Sequence, residues 1–209
     1  MTEISLDASA HLDLAEPVLA ALERIGSRAV ADHSIRTFLF AEIIARETGL
    51  DGATDYDRNL LFAAACLHDL GLGPDAQGTQ RFEVEGADLA AMVLTDAGMT
   101  TLDVDRVWEA IALHTSGGIA ERRGTLPRLV RLGILADLGR HPLIDLDRAA
   151  AIHAAHPRDA VATAIVDGVV AHARRSSAAG AAYTLPGELL REREAGHPTR
   201  LEESLAPGW

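Results

Sequence analysis

Apolar residues recur three and four positions apart along most of the chain, which is the spacing of helices that bury one face. The alternating pattern of strands is almost absent, and aromatic residues make up only 4% of the sequence. Together these features predict an all-α fold, built as a single-domain helical bundle. The predicted helices lie near residues 14–25, 32–48, 55–71, 84–97, 103–114, 127–138, 145–155 and 158–175.

A chain of 209 residues is long enough for one domain whose core needs no disulfide. We expect an N-terminal helix within residues 1–27 that packs on the core, and a main all-α domain over residues 28–175. Residues 176–209 form a charged extension that later carries proline and glycine, so we expect part of it to be loose. Two apolar late stretches, residues 149–155 and 161–170, make a homodimer a candidate assembly.

Acidic side chains outnumber basic ones by 31 to 19, which gives a formal net charge of −12. Such a chain repels phosphate backbones and anionic lipid, so we expect a small-molecule partner and neither nucleic acid nor a membrane. Every basic residue is arginine, which excludes a Schiff-base lysine and a P-loop lysine. The single cysteine, Cys66, cannot form a disulfide framework. No signal peptide or membrane span is visible, so we expect a cytoplasmic protein.

Four ligand-type side chains stand in apolar helical surroundings. His68 and Asp69 follow an apolar run in the segment ACLHDLG, His33 lies near the start of the second helix, and Asp137 lies late on the sixth. Two imidazoles and two carboxylates suit a divalent ion such as Zn²⁺, Fe²⁺ or Mn²⁺. The alternative is that each histidine is simply hydrogen-bonded to a neighbouring carboxylate, and spacing alone leaves both interpretations open.

The order of these residues resembles the HD-domain superfamily, whose signature is H…HD…D on an all-α chain. Further segments resemble that superfamily too, and the resemblance covers about residues 28–140. It implies an HD-type bundle with His33, His68, Asp69 and Asp137 as ligands of one divalent ion. The matching motifs are HSIR at residues 33–36, HD at 68–69, RFEVEGAD at 81–88, AIALH at 110–114 and the aspartate at 137.

Two departures refine what the resemblance implies. Members with two metal ions carry a histidine where Phe82 stands, so one ion is expected, with His114 free beside it. Many phosphohydrolase members carry HDxGK, whereas this chain has HDLGL at residues 68–72. The motifs are most similar to the cyanamide-hydratase-like branch, which hydrates a nitrile-type carbon.

The predicted mechanism is attack by a metal-activated water. Asp69 would accept the proton of that water, and His114 would donate one to the developing anion or leaving group. A second interpretation of His114 is that it holds a ligand carboxylate. The expected substrate pocket comprises Arg36, Leu72, Phe82, Glu83 and Thr115.

Arg36 has a second interpretation, an ion pair with Asp32 or Glu42. The sequence also leaves three classes of function open. The first is a hydratase of a cyanamide-like molecule. The second is a phosphohydrolase that uses Arg36 or Arg81 to hold phosphate, and the third is a non-catalytic helical module stabilised by its metal. His153 and His156 are interpreted as surface residues.

Overall fold

A computed structural model describes residues 12–52, 54–142 and 145–204. The regular secondary structure in these ranges consists of α-helices and 3₁₀ helices, and it includes no strand. This confirms the predicted all-α class. The helices are α1 (Ala15–Glu23), α2 (Arg28–Glu47), α3 (Arg58–Leu67), α4 (Phe82–Asp96), α5 (Thr101–Ala112), α6 (Thr125–Asp137), α7 (Leu146–Ala155), α8 (Val161–Ala173), α9 (Leu185–Glu194) and α10 (Arg200–Ser204).

The long helix α2 packs along α6, and this pair sets the position of two site residues. The helices approach so closely at Gly133 that a Cβ there would lie 2.3 Å from the carbonyl oxygen of Thr37. Only glycine allows the two backbones to meet at this distance. The close crossing brings His33 on α2 and Asp137 at the end of α6 together, although 104 positions separate them in the chain.

The helix α3 delivers the His68-Asp69 pair to the centre of the molecule. Its residues from Leu60 to Leu67 are all buried, and a 3₁₀ turn at Leu70–Leu72 follows the pair. This turn presses against the start of α4, where a Cβ on Gly71 would lie 1.9 Å from the Phe82 carbonyl oxygen. The glycine of the HDLG segment therefore allows a close backbone approach between the turn and α4.

The helix boundaries differ from the prediction mainly at the start of α2. The predicted start near residue 32 is wrong, because the helix begins at Arg28 and Ser27 is its cap, whose hydroxyl accepts a hydrogen bond from the Val30 amide. Val30 is buried, so the apolar face of the helix extends one turn earlier than expected. At the other end of the site, α5 ends at Ala112, which places His114 just beyond the helix.

The C-terminal extension contains two helices that the sequence pattern did not predict. The helix α9 packs against α8 and contributes Leu189 to the core. The apolar residues of α8 that were considered for pairing with a second copy, such as Val166 and Val169, are buried within this chain. Within the described ranges, no helix combines the length and the apolar character needed to cross a bilayer.

Candidate metal centre

Three buried imidazoles share one arrangement, in which the Nδ1 atom contacts an oxygen atom outside the cluster and the Nε2 atom faces Asp69. His33 Nδ1 lies 2.5 Å from Asp137 Oδ2, and His68 Nδ1 lies 2.7 Å from the carbonyl oxygen of Ala65. His114 Nδ1 lies 2.7 Å from the carbonyl oxygen of Ile111. Because carbonyl and carboxylate oxygens only accept, each Nδ1 carries a proton, and in a neutral ring the Nε2 atom then presents a lone pair.

The three Nε2 atoms lie around the carboxylate of Asp69. His68 Nε2 lies 3.3 Å and His33 Nε2 lies 3.9 Å from Asp69 Oδ2, whereas His114 Nε2 lies 3.8 Å from Asp69 Oδ1. One carboxylate oxygen therefore faces two of the rings, and the other oxygen faces the third.

The His33 and His68 rings are the closest of the set, with their Nε2 atoms 3.2 Å apart. Two nitrogen lone pairs repel each other at this distance unless a proton or a cation lies between them. Ligand atoms of His33, His68 and Asp69 all lie within 4.8 Å of one another, and all three residues are buried. A buried N₂O donor set of this kind fits a borderline divalent cation, so the residues present suit the metal that the sequence predicts.

The electrostatics of Asp69 favour its ionised form. Burial by itself would raise the pKa of this carboxyl, but His68 above all, with His33 and His114, outweighs burial and holds the pKa well below its usual range. In return, Asp69 raises the pKa of His68 against the opposing effect of burial. A carboxylate that stays charged in the interior is a strong attractant for a cation.

Asp137 is held by groups from two directions. Arg36 Nε donates to Asp137 Oδ1 at 2.5 Å and Arg36 Nη2 donates to Oδ2 at 2.9 Å, while His33 Nδ1 donates to Oδ2. Burial would raise the pKa of Asp137, but the hydrogen bonds from His33 and Arg36 lower it overall. Asp137 thus lies behind His33, outside the three-residue cluster, where it is placed to fix the orientation of that ring. Its expected role as a fourth ligand of the cation stays a prediction.

Arg36 does not extend toward a substrate pocket. Its guanidinium is completely buried, and its remaining donor Nη1 lies 2.7 Å from the Pro157 carbonyl oxygen and 3.2 Å from that of His156. The ion pair considered from the sequence, with Asp32 or Glu42, is also not the one observed. Those two carboxylates pair with other arginines, namely Arg28 and Arg58.

His114 lies beside the three-residue cluster and is buried. Burial, together with the charge on His68, lowers the pKa of His114 to about 3. The neutral ring can only accept a hydrogen bond at Nε2, because Nδ1 donates to Ile111. The expected role of His114 as a proton donor therefore requires that it first takes up a proton.

The remaining predicted pocket residues divide into two groups. Phe82 packs edge-on against the His114 ring at a centroid distance of 5.4 Å, and Thr115 donates a hydrogen bond to Glu83. These three side chains therefore lie beside His114. Leu72 instead approaches α8, where a Cβ on Gly168 would lie 3.5 Å from Leu72 Cδ1.

His153, near the end of α7, and His156, just beyond that helix, are both partly exposed. His156 is 17% exposed and its Nδ1 lies 3.5 Å from Asp32 Oδ1, while His153 packs edge-on against Phe40 with the ring centroids 5.5 Å apart. Each ring thus keeps a partly exposed position, as expected of a surface residue, while one side of it packs against α2. Arg36 holds the linkage between α7 and α8 through backbone carbonyls, for which the sequence carries no signal.

Comparison with protein families matches residues 30–173, more than half of the chain, to the HD domain. The matched range contains all four predicted ligands and the helices that position them. The fold and site define a helical protein with a buried His-His-Asp cluster that could hold a metal ion. This chain belongs to the HD domain family, whose members are generally metal-dependent hydrolases. A search among curated proteins finds no match.

Proposed function

We propose that this protein uses a divalent cation at His33, His68 and Asp69 to add water to a small carbon electrophile of the nitrile or cyanamide type. The observation that carries the proposal is the pair of Nε2 atoms 3.2 Å apart beside the Asp69 carboxylate. A divalent cation held by these groups would lower the pKa of a coordinated water and polarise the substrate as a Lewis acid.

The chain's own residues then have distinct parts in the reaction. Asp69 Oδ2 faces His33 and His68, and Asp69 Oδ1 faces His114, so the carboxylate can pass a proton from one side to the other. Asp69 accepts the proton of the attacking water as the C–O bond forms. His114 relays that proton through Nε2 to the substrate nitrogen, whose C≡N bond loses one π pair to the new N–H bond.

The hydrogen bonds that Arg36 makes within the protein favour a substrate without phosphate. All of its described donors are taken by Asp137 and by two backbone carbonyls, so the guanidinium is not available to an anion. The chain contains no lysine that could replace it. Phosphate recognition normally needs such positive charge close to the reacting group.

A phosphohydrolase acting on a nucleotide or another small phosphoester is the second candidate. Arg81 favours it, because this side chain is 30% exposed and its Nη1 lies 3.8 Å from Glu83 near the His114 end of the site. Family membership also favours it, since the HD superfamily includes phosphohydrolases. In this case the reaction would be attack of water on phosphorus, with Arg81 as the anion contact.

The deciding experiment assays two reactions on the same preparations, reconstituted separately with Zn²⁺, Fe²⁺ and Mn²⁺. Urea formed from cyanamide is measured beside phosphate released from a panel of nucleotides. The proposal predicts urea formation that the Asp69→Asn variant loses and that the control variant Asp103→Asn, at the opposite end of α5 from His114, keeps. Phosphate release without urea would establish the second candidate. If neither activity is detected and Asp69→Asn only lowers the melting temperature, the protein is a metal-stabilised module.

A further inference from the structure

Glu83 is a completely buried carboxylate that has a hydrogen-bond partner for only one of its two oxygens. Thr115 Oγ1 donates to Glu83 Oε1 at 2.8 Å, and Arg81 Nη1 lies 3.8 Å from the same oxygen. Glu83 Oε2 is buried as well and has no hydrogen-bond partner among the described residues. Such an oxygen is costly in the folded protein unless a donor that is not part of the chain completes it.

The location of Glu83 connects this oxygen to the candidate metal centre. Phe82, which precedes Glu83 in the chain, contacts the His114 ring. Thr115, which follows His114, donates the hydrogen bond to Glu83. The start of α4 also packs against the segment that carries His68, since a Cβ on Gly86 would lie 3.5 Å from the His68 carbonyl oxygen. Glu83 therefore lies where α4 meets both the HD pair and the His114 loop.

A second glutamate on the same helix, Glu85, differs from Glu83 because neither of its oxygens lacks a hydrogen-bond partner. Both oxygens of Glu85 accept hydrogen bonds, from the amides of Gly78, Thr79 and Gln80 and from the Thr79 hydroxyl. The hydrogen-bonding capacity of Glu85 is therefore used within the chain, where it stabilises the loop before α4. Glu83, only two positions earlier, has the same chemistry and keeps one acceptor unused.

We propose that Glu83 Oε2 is the substrate-recognition acceptor of this site and binds an N–H group next to the reacting carbon. The inference rests on the proposed function and narrows its substrate class to small neutral or cationic N–H compounds, such as cyanamides, amides and amidines. A carboxylate accepts strongly from such donors. The same negative charge repels a phosphate dianion, so Glu83 also selects against phosphoesters.

The test measures binding of acetamidinium and of inorganic phosphate to the zinc-loaded protein by calorimetry. Wild type is compared with Glu83→Gln, which keeps the shape of the side chain, and with Glu85→Gln as the matched control. Loss of a charge-assisted hydrogen bond predicts that Glu83→Gln weakens acetamidinium binding by about tenfold or more. The same variant is expected to bind phosphate at least as tightly as wild type, while Glu85→Gln leaves both affinities unchanged.

Zinc stoichiometry and melting temperature are measured on the same samples. These measurements distinguish a failure of the metal centre from a failure of the role assigned to Glu83. If wild type binds zinc but does not bind acetamidinium, or if Glu83→Gln binds it within about twofold of wild type, the assignment of Glu83 is overturned while the metal centre stands. If wild type fails to bind zinc, the proposed function itself fails. Should Glu83→Gln not fold, Thr115→Val provides the second variant, because it removes the hydrogen bond to the Glu83 carboxylate and keeps the carboxylate itself. Thr115→Val is expected to weaken acetamidinium binding severalfold. Unchanged acetamidinium binding in this variant overturns the assignment of Glu83.

Discussion

Arg36 and Asp137 form a bidentate ion pair in the interior, with hydrogen bonds of 2.5 and 2.9 Å between the guanidinium and the carboxylate. Both side chains are completely buried. The remaining Arg36 donor ties the pair to the linkage between α7 and α8 through the carbonyl oxygens of His156 and Pro157. One arginine thus joins three parts of the chain and also fixes the carboxylate that orients His33.

Removal of this arginine is expected to destabilise the fold strongly. Arg36→Met leaves the charge of Asp137 buried and without its main partner, which costs about 3–5 kcal/mol of unfolding free energy. Urea unfolding at neutral pH measures this change. The control is Arg191→Met, because Arg191 is 64% exposed and pairs with the exposed Glu188, so its removal is expected to have little effect. Equal effects of the two variants would contradict the role given to the buried pair.

Asp137→Asn tests the link from this pair to the metal centre. Asparagine can still accept from His33 Nδ1 but loses the charge that strengthens this hydrogen bond, so we expect zinc affinity to fall about 10- to 100-fold. Competition with a chromophoric chelator measures the affinity. Asp103 in the first turn of α5, at the opposite end of that helix from His114, provides the control, since Asp103→Asn is expected to bind zinc as wild type does. An unchanged affinity in Asp137→Asn would show that the orientation of His33 does not depend on Asp137.

The helical architecture could be predicted from the sequence, because it depends on local signals. The gathering of His33, His68 and Asp69 was expected, together with Asp137, only from the resemblance of the motif order to the HD superfamily, since spacing alone left the hydrogen-bonded alternative open. Helical spacing marks the buried faces, and the pair His68-Asp69 at the end of an apolar helix marks a buried polar site. The partner of Arg36 could not be predicted in this way. Asp32 and Glu42 lie near it in the sequence, but Asp137 is 101 positions away and reaches it only through the crossing of α2 and α6.

The C-terminal helices were missed for a related physical reason. The helix α9 has a strongly charged sequence, so its own pattern gives a weak helical signal. It is stabilised by its packing on α8 and by the Thr184 cap, whose hydroxyl accepts from the Gly187 amide. The substrate side of the site shows the same limit, because the open oxygen of Glu83 becomes apparent only when its surroundings are in place.

Gly71 is expected to tolerate no side chain. In Gly71→Ala the new Cβ would lie 1.9 Å from the Phe82 carbonyl oxygen, so the turn after the HD pair must move away from α4. We expect a loss of about 2–4 kcal/mol in unfolding free energy and weaker zinc binding. Gly168→Ala is the control, since a Cβ there meets Leu72 at 3.5 Å, an ordinary contact, and the mutation favours the helix. Similar melting temperatures for the two variants would argue against the close approach.

Glu85 predicts a pH dependence of stability. Burial would raise its pKa, but hydrogen bonds from Gly78, Gln80 and Thr79 lower it to about 2. A lowered folded-state pKa means that the contribution is fully present above the unfolded value near 4.5 and is lost as the pH falls toward 2. Glu85→Gln is therefore expected to be less stable than wild type by about 2 kcal/mol at pH 7, and the difference should shrink below pH 4.5. The exposed Glu23→Gln variant should show no such difference, and a gap for Glu85→Gln that stays constant from pH 7 to 3 would contradict this account.

The central claim is that His33, His68 and Asp69 together hold one divalent cation, and metal content tests it most directly. Protein freed of metal is reconstituted with Zn²⁺, Fe²⁺ or Mn²⁺, and the bound metal per chain is determined by elemental analysis for wild type and for His68→Gln. The structure predicts about one equivalent for wild type and a near-complete loss for the variant. Less than about 0.2 equivalents in wild type with all three metals, or equal metal content in the two proteins, would contradict the claim.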